Sequence, residues 1–172
     1  DADNFSVFEQ RYPFTGTQNA AVSVQLINVS TGESRELPFR GDSDRYLAHL
    51  KWRPDSGAVA VQVQSRDQRQ LTLEQYSLAD GTVHTLLTET STTWINLHED
   101  LRFLADGRFL WSSARDGFSH VYLYSADGSE SQQLTRGEWN VTAIRAIDES
   151  AGAAWITALR EGPLEQHLYW LD

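Results

Sequence analysis

His98-Glu99-Asp100 places an imidazole and two carboxylates in three successive residues, the donor types of a metal site or of general acid/base catalysis. Successive side chains on a strand point to opposite faces, so the three cannot easily meet at one point. They read as a solvated or lip-lining loop, and no metal is assigned. A serine nucleophile on a strand-to-helix elbow needs Gly-x-Ser-x-Gly. The nearest strings, Gly41-Asp42-Ser43-Asp44-Arg45 and Gly117-Phe118-Ser119-His120-Val121, both lack the second glycine. The only lysine, Lys51, follows no glycine-rich loop, and the Gly-x-Gly-x-x-Gly phosphate cradle is absent. The other histidines, His49, His84, His120 and His167, are dispersed along the chain. No catalytic residue and no cofactor are assigned.

The composition of the 172 residues, 40% hydrophobic and 22% charged, is that of a folded chain. A formal charge of −10 repels phosphate backbones and anionic surfaces, which argues against a nucleic-acid partner. Without cysteine there is no disulfide framework and no thiolate site. No run approaches the ~18 apolar residues of a membrane span. The opening Asp1-Ala2-Asp3-Asn4 has neither initiator methionine nor leader character, as expected of a processed protein or an excised piece. Asn4-Phe5-Ser6, Asn28-Val29-Ser30 and Asn140-Val141-Thr142 match the glycosylation tripeptide, which carries no meaning in a bacterial protein.

The elements that must position these residues show themselves as a repeat. Gly32, Gly81 and Gly128 each follow a β-branched or aromatic run, whereas the turn glycines Gly57, Gly107 and Gly152 of a second series each precede one. Both series recur about every 45 to 50 residues, and each unit reads as two hairpins, the signature of a four-stranded propeller blade. Thr85-Leu86-Leu87-Thr88 echoes Gln132-Gln133-Leu134-Thr135 as an outer strand, each followed by a crossover tryptophan, Trp94 or Trp139. The sequence therefore predicts an all-β chain, a β-propeller segment of four-stranded antiparallel blades, two complete and two partial. As one partial domain over 1–172, its blades are expected at about 12–40 (partial), 46–90, 92–137 and 139–172 (partial). Glu161 to Leu171 is expected to be strand despite helix-like spacing. Trp52, Trp111 and Trp155 are expected between sheets.

The run Trp94-Ile95-Asn96-Leu97-His98-Glu99, continued by Phe103-Leu104-Ala105-Asp106-Gly107-Arg108-Phe109-Leu110-Trp111-Ser112-Ser113 and Asp116-Gly117-Phe118-Ser119-His120-Val121-Tyr122, resembles the propeller of the dipeptidyl peptidase IV family of the prolyl oligopeptidase clan. Gln133 to Val141 resembles that family's blade-to-blade crossover, Arg11 to Asn19 its Tyr-Pro…Gly…Asn segment, and Arg66-Asp67-Gln68-Arg69 its Arg-x-Gln-Asn. The resemblance implies the non-catalytic propeller of a serine exopeptidase that removes N-terminal X-Pro or X-Ala dipeptides, acting as gate and cavity wall. It implies peptide substrates and a C-terminal α/β-hydrolase domain of a parent chain as partners, and allows a homodimer of that parent. The glutamate pair that holds the substrate amine in the family has no counterpart before Arg11, where Glu9 stands alone. Trp94 to Asp100 matches the family's cavity wall, and His98-Glu99 stands where mammalian members carry a Phe-Arg. Proximity to the cavity is therefore expected for Asn96, His98 and Glu99.

A TolB-like propeller that binds another protein is the alternative, since Pro54-Asp55-Ser56-Gly57 and Leu104-Ala105-Asp106-Gly107 fit its loose Pro-Asp-Gly repeats. It does not account for Trp94 to Glu99. A WD-repeat or kelch scaffold lacks its Gly-His…Trp-Asp or Gly-Gly marks. The acidic, cysteine-free, arginine-over-lysine composition is compatible with a bacterial periplasmic or secreted protein.

Overall fold

The computed structural model describes residues 9, 14, 16–39 and 44–172. The Tyr12-Pro13 start of the first expected blade and the Gly41-Asp42-Ser43 string lie outside the described residues. Among the described residues thirteen strands form four antiparallel sheets taken in chain order. A hairpin of β1 (Gln25–Ile27) and β2 (Ser34–Glu36) comes first. Then follow β3 (Arg45–Trp52), β4 (Ala58–Ser65), β5 (Gln70–Ser77) and β6 (Val83–Thr90), a four-stranded meander. The second meander is β7 (Arg102–Phe103), β8 (Phe109–Ser113), β9 (His120–Tyr124) and β10 (Ser131–Gln133). The last sheet has three strands, β11 (Asn140–Asp148), β12 (Ala153–Gly162) and β13 (Glu165–Leu171). This is the all-β propeller segment the repeat predicts, two four-stranded sheets flanked by incomplete ones, and the Glu161 to Leu171 stretch is strand.

The sheets stack face to face because their strands are apolar on both sides. Phe109 and Trp111 of β8 join Leu71, Leu73, Leu86 and Leu87 of the preceding sheet, while Leu110 between them turns the other way onto Val141, Ile144, Ala154 and Ile156. Trp111 is fully buried. Trp155 is a correction to expectation, at 38% exposed. Its neighbours Ala154 and Ile156 face the preceding sheet, so the two-residue period sends Trp155 to the opposite face, where it meets its cross-strand partner Trp170 edge to face at 4.8 Å. Trp52 is likewise 49% exposed, at the end of edge strand β3 and outside the cluster of Leu37, Val59, Tyr76 and Val83.

The hairpin turns repeat atom for atom. The Asp80 carboxylate accepts from the Thr82 backbone N–H and hydroxyl at 3.0 and 2.8 Å, and Asp127 accepts from Ser129 in the same way at 3.1 and 2.8 Å. Hydrogen bonds from Thr82 hold Asp80 down to about 2, and the Ser125 hydroxyl followed by the Ser129 groups holds Asp127 down to about 2. The glycine after each aspartate is left-handed, with φ of 72° at Gly81 and 75° at Gly128. The β3–β4 turn departs from the series, because its left-handed residue is Ser56 (φ 57°) and not Gly57.

Gly128 lies against the backbone of Leu86 in the neighbouring sheet, so an added Cβ would run into the Leu86 carbonyl. Gly32, at φ 74°, faces open space. Gly128→Ala is expected to cost more than ~2 kcal/mol in urea denaturation, from backbone strain plus lost sheet stacking, and Gly32→Ala about 1 kcal/mol from strain alone.

Candidate functional site

The crossover from β6 to β7, residues 91–101, carries all three candidate residues, and both neighbouring sheets grip its backbone. Strand β4 alternates Ala60, Gln62 and Gln64 onto the face toward the crossover. The Gln64 Nε2 donates to the Ile95 carbonyl at 2.8 Å and the Gln62 Nε2 to the His98 carbonyl at 3.1 Å, from side chains only 2% exposed. The Ile95 N–H donates to the Gln68 carbonyl at 2.8 Å, and Arg69 Nε to the Thr93 carbonyl at 3.2 Å. At the far end, the buried Asp100 carboxylate accepts from the Ser112 hydroxyl at 3.0 Å and from the Ile144 N–H at 2.9 Å. Arg102 Nη2 donates to the Ile144 carbonyl at 3.0 Å, so both backbone groups of one β11 residue are held by this segment.

The structure does not bring the three candidates to one point. Asn96 and His98 line a cleft of about 590 Å³, together with Trp94, Glu89, Ser112 and Arg115. Glu99 lines a different pocket of about 340 Å³ with His49, Lys51, Gln62 and Arg102. Alternation along the extended chain divides neighbours 98 and 99 between the two cavities. Asn96 accepts from the Trp94 indole at 3.2 Å. Among the described residues no group of three His, Asp or Glu could hold a metal ion.

The cleft has a polar wall that the sequence reading did not single out. Glu89 Oε1 accepts from the Trp111 indole at 3.0 Å and from Arg115 at 2.9 Å, and Arg115 stacks over Tyr122 at 4.2 Å and donates to the Tyr124 hydroxyl at 2.5 Å. His98 packs edge-on against Trp111 at 4.3 Å. Its Nδ1 accepts from the Asp100 N–H at 3.2 Å, which leaves the proton of the neutral ring on Nε2, a buried atom without a hydrogen-bond partner. Burial lowers the His98 pKa from its ordinary value, against the opposing pull of Asp100 and Glu89. His120, by contrast, is a core histidine, bound to Thr135 at 3.0 Å and the Gly137 carbonyl at 2.9 Å. His167 is exposed beside Glu165.

Residues 1–172 fit the family described as the dipeptidyl peptidase IV (DPP IV) N-terminal region. The chain belongs to the dipeptidyl peptidase IV N-terminal region family. It is similar to the crystal structure of Porphyromonas gingivalis dipeptidyl peptidase 4, with a TM-score of 0.86 and 26% identity over 94% of this chain and 23% of that one. It is 26% identical to dipeptidyl peptidase 4 of Arthroderma otae and 25% to that of Trichophyton rubrum, in each case over 94% of this chain. The chain spans 22% of the length of those relatives. Among the described residues of this family member, no helix is long and apolar enough to cross a membrane.

The unfolded chain takes up a proton on His98 near pH 6.5, whereas the folded chain does so only at lower pH. Between those two values the unfolded state binds more protons, so stability falls as pH drops below 6.5, and above 6.5 the residue contributes no pH dependence. Urea denaturation between pH 5 and 7 is expected to show this loss, and His98→Gln to flatten it.

Proposed function

We propose that this chain is the non-catalytic propeller portion of a serine exopeptidase that removes N-terminal X-Pro or X-Ala dipeptides, serving as gate and as wall of the substrate cavity. The observation that carries the reading is the family match across 1–172 together with the crossover at Trp94 to Asp100, whose side chains open onto two cavities. Catalysis belongs to a C-terminal α/β-hydrolase domain of the parent chain, which with peptide substrates and a second copy of the parent makes up the partners. Blades run over about 12–40, 46–90, 92–137 and 139–172, the first and last partial. Asn96, His98 and Glu99 stand at the wall, Asn96 and His98 on the larger cleft and Glu99 on the smaller pocket. The parent works in the bacterial periplasm or is secreted.

The test compares the 172-residue chain with the full-length polypeptide on a Gly-Pro anilide. The full-length protein is expected to release the chromophore and the chain alone to stay at the buffer blank, since most of the acceleration at such sites is lost with the nucleophile and its base. A folded full-length protein that releases no dipeptide, or an active isolated chain, contradicts the reading. Replacing Glu99 by Gln is expected to change KM at least threefold with kcat nearly unchanged, as for a group that binds substrate away from the reacting bond.

A further inference from the structure

The pocket at Glu99 holds two cations, Lys51 and Arg102, with no directly bound carboxylate among the described residues. Lys51 is the only lysine of the chain, and among the described residues no carboxylate lies within ion-pair distance of its ammonium. Arg102 spends its guanidinium on the neutral carbonyls of Glu99, Leu101 and Ile144, so its positive charge also has no carboxylate directly bound. Glu99 is exposed and faces the same pocket. Gln62, nearly fully buried in the pocket wall, commits its Nε2 to the His98 carbonyl. That bond fixes the orientation of the amide and leaves Oε1 as a buried acceptor without a partner. Burial and the nearby Arg102 depress the Lys51 pKa, against the opposing charges of Glu99 and Asp100.

Two cations, one accessible carboxylate and one orphaned acceptor complement a ligand that carries an anion and a charged donor together. We propose that this pocket binds a small zwitterion of the α-amino-acid or dipeptide class, its carboxylate between Lys51 and Arg102 and its ammonium toward Glu99 and the Gln62 amide oxygen. The anion relieves the repulsion between the two cations, and the ammonium supplies the missing donor. The volume of about 340 Å³ suits a ligand of that size. The proposal rests on the peptidase reading, in which Glu99 stands at the substrate cavity, and goes beyond it by giving the pocket a free zwitterion as ligand.

Calorimetric titration of the full-length polypeptide with glycylglycine, N-acetylglycine and glycinamide separates the two ends of the ligand. Glycylglycine is expected to bind at least tenfold more tightly than either of the others. Lys51→Gln and Glu99→Gln, checked by circular dichroism for an unchanged fold, are each expected to weaken glycylglycine at least fivefold, and Glu99→Gln to leave N-acetylglycine unaltered. Absence of binding heat, equal affinity for the three compounds, or glycylglycine binding unchanged in Lys51→Gln overturns the proposal. Gly-Pro anilide hydrolysis by the same unmutated sample reports on the peptidase reading independently.

Discussion

The carboxylate of Asp100 joins three parts of the molecule. It sits in the crossover, takes the Ser112 hydroxyl from the second sheet and takes the Ile144 N–H from the third. Ile144 lies on β11, an edge strand of the last sheet that among the described residues pairs only with β12, and its N–H is taken by Asp100 from outside that sheet. Hydrogen bonds to a charged acceptor are worth about 1.5–3 kcal/mol each, and a buried carboxylate stripped of its donors costs more than that. The apolar clusters between sheets supply most of the attraction, but they are non-directional. The polar contacts of Asp100, Arg102, Gln62 and Gln64 fix where along the stack the crossover lies.

That placement decides what the crossover can do. With its carbonyls at Ile95 and His98 held by β4 and its end held by Asp100, the crossover presents Trp94 to His98 to a larger cleft that Glu89 and Arg115 also line, and Glu99 to a smaller pocket beside Lys51 and Arg102. A metal or acid/base cluster at His98-Glu99-Asp100 is precluded by the same alternation. His98 turns into one cavity, Glu99 into the other, and Asp100 is consumed by structure. The segment thus opens onto a cavity on either side.

Much of the fold was legible because its signals are local. A left-handed turn residue after aspartate is cheap only for glycine, so Gly81 and Gly128 mark equivalent hairpins, and β-branched and aromatic runs on both sides mark the strands. Where another residue tolerates the left-handed state, as Ser56 does, the series slips by one. The direction of Trp155 was hidden because the two-residue period gives alternation without saying which face is covered. The gripping contacts were hidden because Gln62 and Gln64 reach partners 36 and 31 residues away. One signal for them was present: two glutamines at alternate positions of the otherwise apolar run Ala58 to Gln64 ask for buried hydrogen-bond partners. The Glu89, Trp111 and Arg115 wall left no comparable mark, since its members come from different strands and loops.

Asp100 acts through Ser112 and Ile144, and not merely by filling space. A double-mutant cycle with Asp100→Ala and Ser112→Ala, followed by urea denaturation at pH 7, measures this directly. The predicted result is a loss of about 3 kcal/mol or more for Asp100→Ala, with a coupling of roughly 1–2 kcal/mol to Ser112→Ala. Additivity of the two substitutions within about 0.3 kcal/mol, or a loss below about 1 kcal/mol for Asp100→Ala, would contradict it.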